Sequence, residues 1–268
     1  MIDLGRRSVL GVSVSAVDRE AVVRRVIDAA KSRTPLGVSA LAVHGLMLAY
    51  SDPELLLRIN RLAIVAPDGQ PVRWALNLLY RVGLRERVYG PDLTLDVCEH
   101  ARDVGVSVFL FGSTHDVLQR LESNLKRRFR GLKLAGSQAS RFRPATEEEV
   151  LADRQSIVDS GADIVLVGLG CPRQEVWVYE NVEELSMPAL AVGAAFDYHS
   201  GVLAEPPAWM QRVGLQWLYR LAQEPRRLWR RYVLLNPVYL ILVALQATRL
   251  RRFPVRDTGA DVPTLRPS

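Results

Sequence analysis

The feature that most restricts this chain is an abrupt change of character within residues 162–175. Four consecutive apolar residues, Ile164-Val165-Leu166-Val167, run into Gly168-Leu169-Gly170-Cys171-Pro172-Arg173-Gln174-Glu175. A short, β-branched, continuously apolar run predicts a strand covered on both faces, as in parallel sheets, because a strand with one wet face would alternate. Gly168 and Gly170 permit a tight turn and a close approach of backbone to a ligand, and Pro172 suits the first turn of a following helix. Gln174 and Glu175 then stand at the carboxyl end of a strand, where open α/β sheets hold their ligands. An ordinary strand-to-helix loop would read the same way, so the rest of the chain has to decide.

The pattern recurs. Apolar runs at 9–14, 37–43, 62–65, 106–111, 132–135, 164–167 and 189–192 alternate with amphipathic segments at 18–31, 52–61, 71–80, 91–104, 113–129, 146–160 and 172–185. That alternation predicts an α/β fold with a doubly wound, mostly parallel sheet core. Asp18 reads as an N-cap, and Thr146 with Glu149 as a capping box. After Gly201 the strand signals stop, and Trp, Tyr, Arg and Leu recur at helical spacing. We therefore expect an α/β core over 1–203, a C-terminal Arg-rich helical appendage over 204–253, and a disordered tail over 254–268. Within the appendage, helices are expected at 208–222 and from 225 toward 246, the second kinked or broken at Asn236-Pro237.

A chain of 268 residues, 49% hydrophobic and 24% charged, can bury a full core, which excludes a fibrous or wholly disordered protein. Its two cysteines, Cys98 and Cys171, are far apart and have no His or Cys cluster around them. They suggest neither a disulfide framework nor a zinc site, and they fit a reducing cytoplasm. Charge near the N-terminus argues against a secretory leader, and no apolar run reaches the length of a membrane-spanning helix. The net charge of +6 is concentrated late: from Ala204 onward there are 11 arginines against four acids.

Five loops carry candidate chemistry. Pro67-Asp68-Gly69 follows one apolar run and offers a single carboxylate suited to general-base work, although an Asp-Gly turn is common without any such role. Arg87-Val88-Tyr89-Gly90-Pro91-Asp92 supplies an arginine able to grip phosphate, followed by a helix start. Phe111-Gly112-Ser113-Thr114 opens another helix, and its N–H groups could bind phosphate or simply be capped by Ser113 or Thr114. The glycine spacing there is neither a dinucleotide fingerprint nor a P-loop. The loop around Gly168 and the segment Gly193-Ala194-Ala195-Phe196-Asp197 complete the set. A nucleotide-bearing ligand laid along one sheet edge explains all five together. In the appendage, Arg220, Arg227 and Arg230 fall near one helical face; they could clamp a diphosphate, line a solvated face, or meet a membrane or nucleic acid. The apolar stretch 233–245, followed by Arg249, Arg251 and Arg252, suits an interfacial helix, a helix packed on the core, or one packed on a second copy of the chain.

Taken in order, these motifs resemble the WecG/TagA/CpsF family of bacterial glycosyltransferases over roughly residues 8–245. The match rests on Pro67-Asp68-Gly69, Arg87 to Asp92, Phe111-Gly112, Val167 to Glu175, Phe196-Asp197, Gly214-Leu215-Gln216-Trp217-Leu218-Tyr219-Arg220-Leu221 and Glu224-Pro225-Arg226-Arg227. The resemblance implies inverting transfer of a sugar from a UDP-sugar donor to a polyprenyl-diphosphate-linked saccharide acceptor, on the cytoplasmic, inner face of the cell membrane. It implies Asp68 as general base. Gly69, Arg87, Gly112, Ser113, Gly168, Gly170, Gln174, Glu175 and Asp197 would form the donor and sugar site, and Arg220, Arg227 and Arg230 would hold the acceptor diphosphate. No cofactor is implied, and no Asp-x-Asp metal motif occurs in the sequence. The chain departs from the family pattern at Ala40-Leu41-Ala42, where Thr and Asn are usual, at Glu205-Pro206-Pro207, and at Gln216, where Glu is usual.

Two rivals come from other classes. A nucleic-acid-binding protein would use the basic tail, but that tail lacks a recognition motif and its arginines are interleaved with apolar residues. A non-catalytic subunit of a polysaccharide assembly would fit the altered residues at Ala40 and Ala42, while the retained Asp68 and Gln174 favour an enzyme.

Overall fold

The computed structural model describes residues 1–143 and 145–255, apart from the side chains of Ala208, Arg212, Arg227, Arg230 and Arg231. The chain begins with a hairpin, β1 (Asp3–Val9) and β2 (Val12–Val17), followed by α1 (Arg19–Ser32). Then come β3 (Leu36–Leu41), α2 (Val43–Ser51), α3 (Pro53–Arg61), β4 (Ile64–Pro67), α4 (Gln70–Tyr80), α5 (Gly90–Val104), β5 (Ser107–Gly112), α6 (His115–Arg128), β6 (Lys133–Gln138), α7 (Glu147–Asp159), β7 (Ile164–Gly168), α8 (Arg173–Leu185), β8 (Pro188–Ala191) and α9 (Ala195–His199). Six of the strands form one all-parallel sheet in the order β4-β3-β8-β7-β5-β6.

The continuous apolar runs exist because both faces of this sheet are covered. Along each strand alternate residues join opposite layers: Val65, Phe109, Phe111, Val165 and Val167 face one, while Ile64, Ala66, Val108, Leu110, Ile164 and Leu166 face the other. Helices α2, α3, α4 and α8 cover the first layer, and α1, α5, α6 and α9 the second. Each such Val, Leu, Ile or Phe side chain, removed from water on either face, contributes about 1.5–3 kcal/mol before the entropy of ordering is subtracted. The helix starts follow local chemistry: Asp18 accepts the Ala21 N–H at 2.9 Å, and Thr146 with Glu149 forms the expected capping box.

The run at 9–14 is not one strand. Leu10 (φ 53°) and Gly11 (φ 89°) both occupy the left-handed region, so the chain reverses and Val9 pairs with Val12 across an antiparallel hairpin. The hairpin covers the β4 edge through side chains. Buried Asn60 accepts from Ser13 N–H at 2.8 Å and donates to the Gly11 carbonyl at 3.1 Å, and the Ser15 hydroxyl accepts the Val65 N–H at 3.1 Å. A second difference lies just past β3, where 43–51 forms a helix, α2, that is apolar almost all round and gives no amphipathic signal.

The appendage contains α10 (Ala208–Arg212), α11 (Gln216–Gln223), α12 (Pro225–Trp229), a π-helical turn (Arg230–Leu235) and α13 (Asn236–Ala247). The single helix expected at 208–222 is two, separated at Gly214 (φ 79°). The interruption expected near Asn236-Pro237 falls on the junction between the π turn and α13, where Pro237 occupies the first turn. Helix α13 returns to the core. Tyr239, Leu242 and Val243 are buried there, the Tyr239 hydroxyl donates to the Pro71 carbonyl at 3.1 Å, and Gln246 bonds to both Leu10 and Ser8 of the hairpin. Of the tail expected to be disordered, 256–268 lies outside the described residues.

Candidate functional site

Because the six strands are parallel, all their carboxyl ends lie on one rim, and the loops leaving them form a continuous row. Asp68 and Gly69 follow β4, Ala42 and His44 follow β3, Gly193 to Asp197 follow β8, Gly168 and Gly170 follow β7, and Gly112 and Ser113 follow β5. The connection from β7 runs toward β8 while that from β5 runs the opposite way to β6. The crevice between β5 and β7 is therefore the point where the winding reverses, the usual ligand position in open α/β sheets.

That crevice is shaped by missing side chains. Gly112 has φ 113°, and a Cβ added there would stand 2.8 Å from the backbone carbonyl of Gly168 on the neighbouring strand. Gly170 (φ 78°) and Gly193 (φ 66°) would instead direct a Cβ into open space, which leaves the floor of the rim accessible. Ser113, also in the left-handed region at φ 62°, is tied to the β6 loop by the Ser140 N–H at 2.9 Å. Arg173, exposed at the start of α8, reaches the Ser140 hydroxyl at 3.3 Å.

Asp68 is half-buried. Its N–H donates to the Leu41 carbonyl at 3.2 Å, and its Oδ1 accepts the Gly90 N–H at 3.1 Å. The residues before α5 are drawn beside it because the Val88 N–H donates to the Pro67 carbonyl at 2.9 Å. Arg87 lies over the Tyr89 ring, 4.0 Å from its centroid. A carboxylate fixed in this way, on an accessible rim, is placed to accept a proton from a hydroxyl.

Gln174 and Glu175 lie beneath the rim, each 1% exposed. The Gln174 carbonyl accepts the Gly193 N–H at 3.2 Å and its amide donates to Glu175 at 2.9 Å, while the Ser39 hydroxyl donates to the same Glu175 oxygen at 3.2 Å. Burial pushes the Glu175 carboxyl upward, against the hydrogen bonds from Gln174 and Ser39 that favour its charged form. In this arrangement the pair joins β3, the β8 loop and α8 from below. Asp197, on α9, stays at the rim and is half-buried.

The appendage supplies one wall. From α11 the buried Gln216 amide donates to the Tyr89 hydroxyl, and Arg220 lies 5.7 Å from the ring centroid of Tyr198 and 3.6 Å from Glu224. The Tyr89 and Tyr198 rings pack 6.4 Å apart, and burial raises the pKa of both hydroxyls. Sequence reasoning missed these two tyrosines, although Tyr89 lies inside the Arg87–Gly90 motif and Tyr198 directly follows Asp197. Arg227 lies on α12 and Arg230 opens the π turn, but their side chains are outside the described residues. Past the π turn, Val238, Leu240 and Ile241 are exposed on the outer side of α13, with exposed Arg249, Arg251 and Arg252 beyond it.

Among the described residues no group of three His, Cys, Asp or Glu side chains is placed to hold a metal ion, and no helix is long and apolar enough to cross a membrane. A separate hollow of about 600 Å³ between α1 and α5, lined by Asp18, Arg19, Asp96 and His100 among others, includes none of the strand-end residues. A family model described as Glycosyl transferase WecG/TagA/CpsF family matches residues 7–253, nearly the whole described chain, and the protein belongs to that family.

Proposed function

We propose that this member of the WecG/TagA/CpsF family is an inverting transferase that moves a sugar from a UDP-sugar to a lipid-diphosphate-linked saccharide, with Asp68 as general base. Family membership gives the coarser statement, a glycosyltransferase acting in cell-surface polysaccharide synthesis. The observation that carries the finer one is the seat of Asp68: a half-buried carboxylate at the carboxyl-end rim of the parallel sheet, accepting the Gly90 N–H at the start of α5 at 3.1 Å.

In the proposed reaction Asp68 takes the proton of the acceptor hydroxyl as its oxygen attacks the anomeric carbon from the face opposite the nucleotide. The bond from that carbon to the β-phosphate oxygen breaks, and UDP leaves with the bonding pair. One base is sufficient for such a single displacement. The departing diphosphate needs positive charge, which Arg87, Arg173 and the N–H groups around Gly112, Ser113 and Gly170 could supply at the rim. Arg220, with Arg227 and Arg230 of the same appendage, is suited to the acceptor diphosphate. The exposed apolar side of α13 and the arginines after it fit a peripheral position on an anionic membrane surface, where a lipid-linked acceptor would be met.

The test is Asp68→Asn, assayed by mass spectrometry of product formed from a panel of UDP-sugars and an undecaprenyl-diphosphate-linked saccharide. The expected result is loss of transfer by about 10²–10⁴-fold with UDP binding retained, the usual contribution of a positioned base. Full activity in that variant would remove Asp68 from the mechanism.

A further inference from the structure

Phe142, in the connection from β6 to α7, is held where a phenylalanine does not settle by itself. Its side chain is 62% exposed and its backbone lies in the left-handed region, at φ 53°. For a bulky residue that conformation costs free energy and persists only where the surroundings impose it. Here α7 imposes it from both sides. The Arg141 guanidinium forks onto the two oxygens of Asp153, a carboxylate only 4% exposed, with Nη2 2.7 Å from Oδ1, and the Gln138 amide donates to the same group. Arg143 forks onto Glu149 at 2.6 and 2.8 Å. Between the two clamps the Phe142 N–H donates to the Ser140 hydroxyl at 3.2 Å. An exposed phenylalanine alone would need no explanation, but one clamped in an unfavourable backbone conformation does.

The place of this loop gives the chemistry of the ligand. At Ser140 it is fastened to both sides of the crevice between β5 and β7: the Ser140 N–H donates to the Ser113 carbonyl at 2.9 Å, and the Ser140 hydroxyl accepts from Arg173 at 3.3 Å. Two residues of chain span at most about 7 Å, so the Phe142 backbone stands no farther than that from Ser140. That reach is comparable to the separation of phosphate and base within a nucleotide. We propose that Phe142 is the platform on which the base of the donor nucleotide stacks, while the diphosphate lies at Ser113, Gly170 and Arg173. The inference rests on the reading of the donor as a nucleotide sugar and adds to it the residue that grips the base. Every base has a face that stacks, so Phe142 supplies affinity for the nucleotide and leaves the choice among bases to other groups.

The experiment is calorimetric binding of UDP, ADP and inorganic diphosphate to the full chain, in wild type, Phe142→Ala, Phe142→Tyr and Phe142→Gly, with the thermal unfolding midpoint of each. Phe142→Ala should weaken the binding of UDP about 10-fold or more, the usual worth of one base stacked on an aromatic ring. Phe142→Tyr keeps the ring face and should bind UDP as wild type does. Inorganic diphosphate has no base, so its affinity should be the same in all four proteins. Phe142→Gly should lose UDP affinity as Phe142→Ala does, yet unfold at no lower temperature, because glycine accepts the left-handed conformation without strain. Unchanged UDP affinity in Phe142→Ala would overturn the proposal. So would an equal loss for diphosphate, which would mean that the loop had moved, or a fall in the midpoint of Phe142→Gly, which would mean that the ring serves the fold. A wild type that binds neither UDP nor ADP would overturn the nucleotide-sugar reading itself, and this inference with it.

Discussion

The parallel sheet and the helical appendage bury apolar residues by opposite means. The inner strands of the sheet give both faces to the interior, so that Ile164, Val165, Leu166 and Val167 are all fully buried. Helix α13 gives up only one side, Tyr239, Leu242 and Val243, and leaves Val238, Leu240 and Ile241 45–61% exposed. The sheet residues can be accounted for by stability alone. Exposed Leu and Ile beside a run of arginines cost solubility and return nothing to the fold, so that side of the helix is expected to serve an encounter. The same helix thus combines a face buried on the core and a face left exposed.

The sharpest way to break this contrast is Tyr239→Ala. If α13 is part of the core, removing this 1%-exposed ring and its bond to the Pro71 carbonyl should cost about 3–5 kcal/mol in denaturant unfolding, as for other buried aromatics. A cost below about 1 kcal/mol would mean that the appendage docks loosely, because surface changes usually stay within that range. The outer face should behave in the reverse manner. Ile241→Ser is expected to change stability by no more than about 0.5 kcal/mol, while sedimentation with anionic phospholipid vesicles falls several-fold. Unchanged vesicle binding would separate that face from the membrane. Truncation at Ala204 is a poorer probe, since it would also uncover the core that α13 covers.

The smallest effect concerns the layer beneath the rim. Burial raises the Glu175 carboxyl above its unfolded value, so the unfolded chain releases its proton at lower pH than the folded one. The contribution of Glu175 is therefore fully present below the unfolded value, near 4.5, and declines as pH rises through the window up to the raised folded value. Glu175→Gln, which mimics the protonated acid, should flatten the dependence of unfolding free energy on pH above about 5. A slope identical to wild type would mean that Glu175 is ionised in the folded protein.

The sheet was legible because these strands are buried on both faces, which prints short, mostly apolar runs into the sequence at 37–43, 62–65, 106–111, 164–167 and 189–192. The same rule misled at 9–14, where an apolar Leu10 occupies a left-handed turn position that normally goes to Gly, Asn or Asp. It was silent at α2, since a helix buried nearly all round has no polar face to set a period. Loop glycines marked the rim correctly because an accessible strand end needs positive φ at Gly112, Gly170 and Gly193. What sequence could not supply was direction. Gln174 and Glu175 belong to the most informative motif, yet they point under the rim, because the first turn of α8 turns those positions toward Ser39 and the Gly193 loop. The contact between Gln216 and Tyr89 spans 127 positions and leaves no local pattern at all.

The hairpin at the start of the chain has a consequence for self-association. An outermost strand ordinarily presents a row of unsatisfied backbone groups on which another molecule can lay a strand of its own. Here the Ser15 hydroxyl of β2 accepts the Val65 N–H of β4, and Asn60 of α3 holds the hairpin over that margin through Ser13 and Gly11, so the margin carrying Asp68 is covered. Fibril-like stacking would have to begin at the opposite margin, β6, which lies farthest along the sheet from the proposed base.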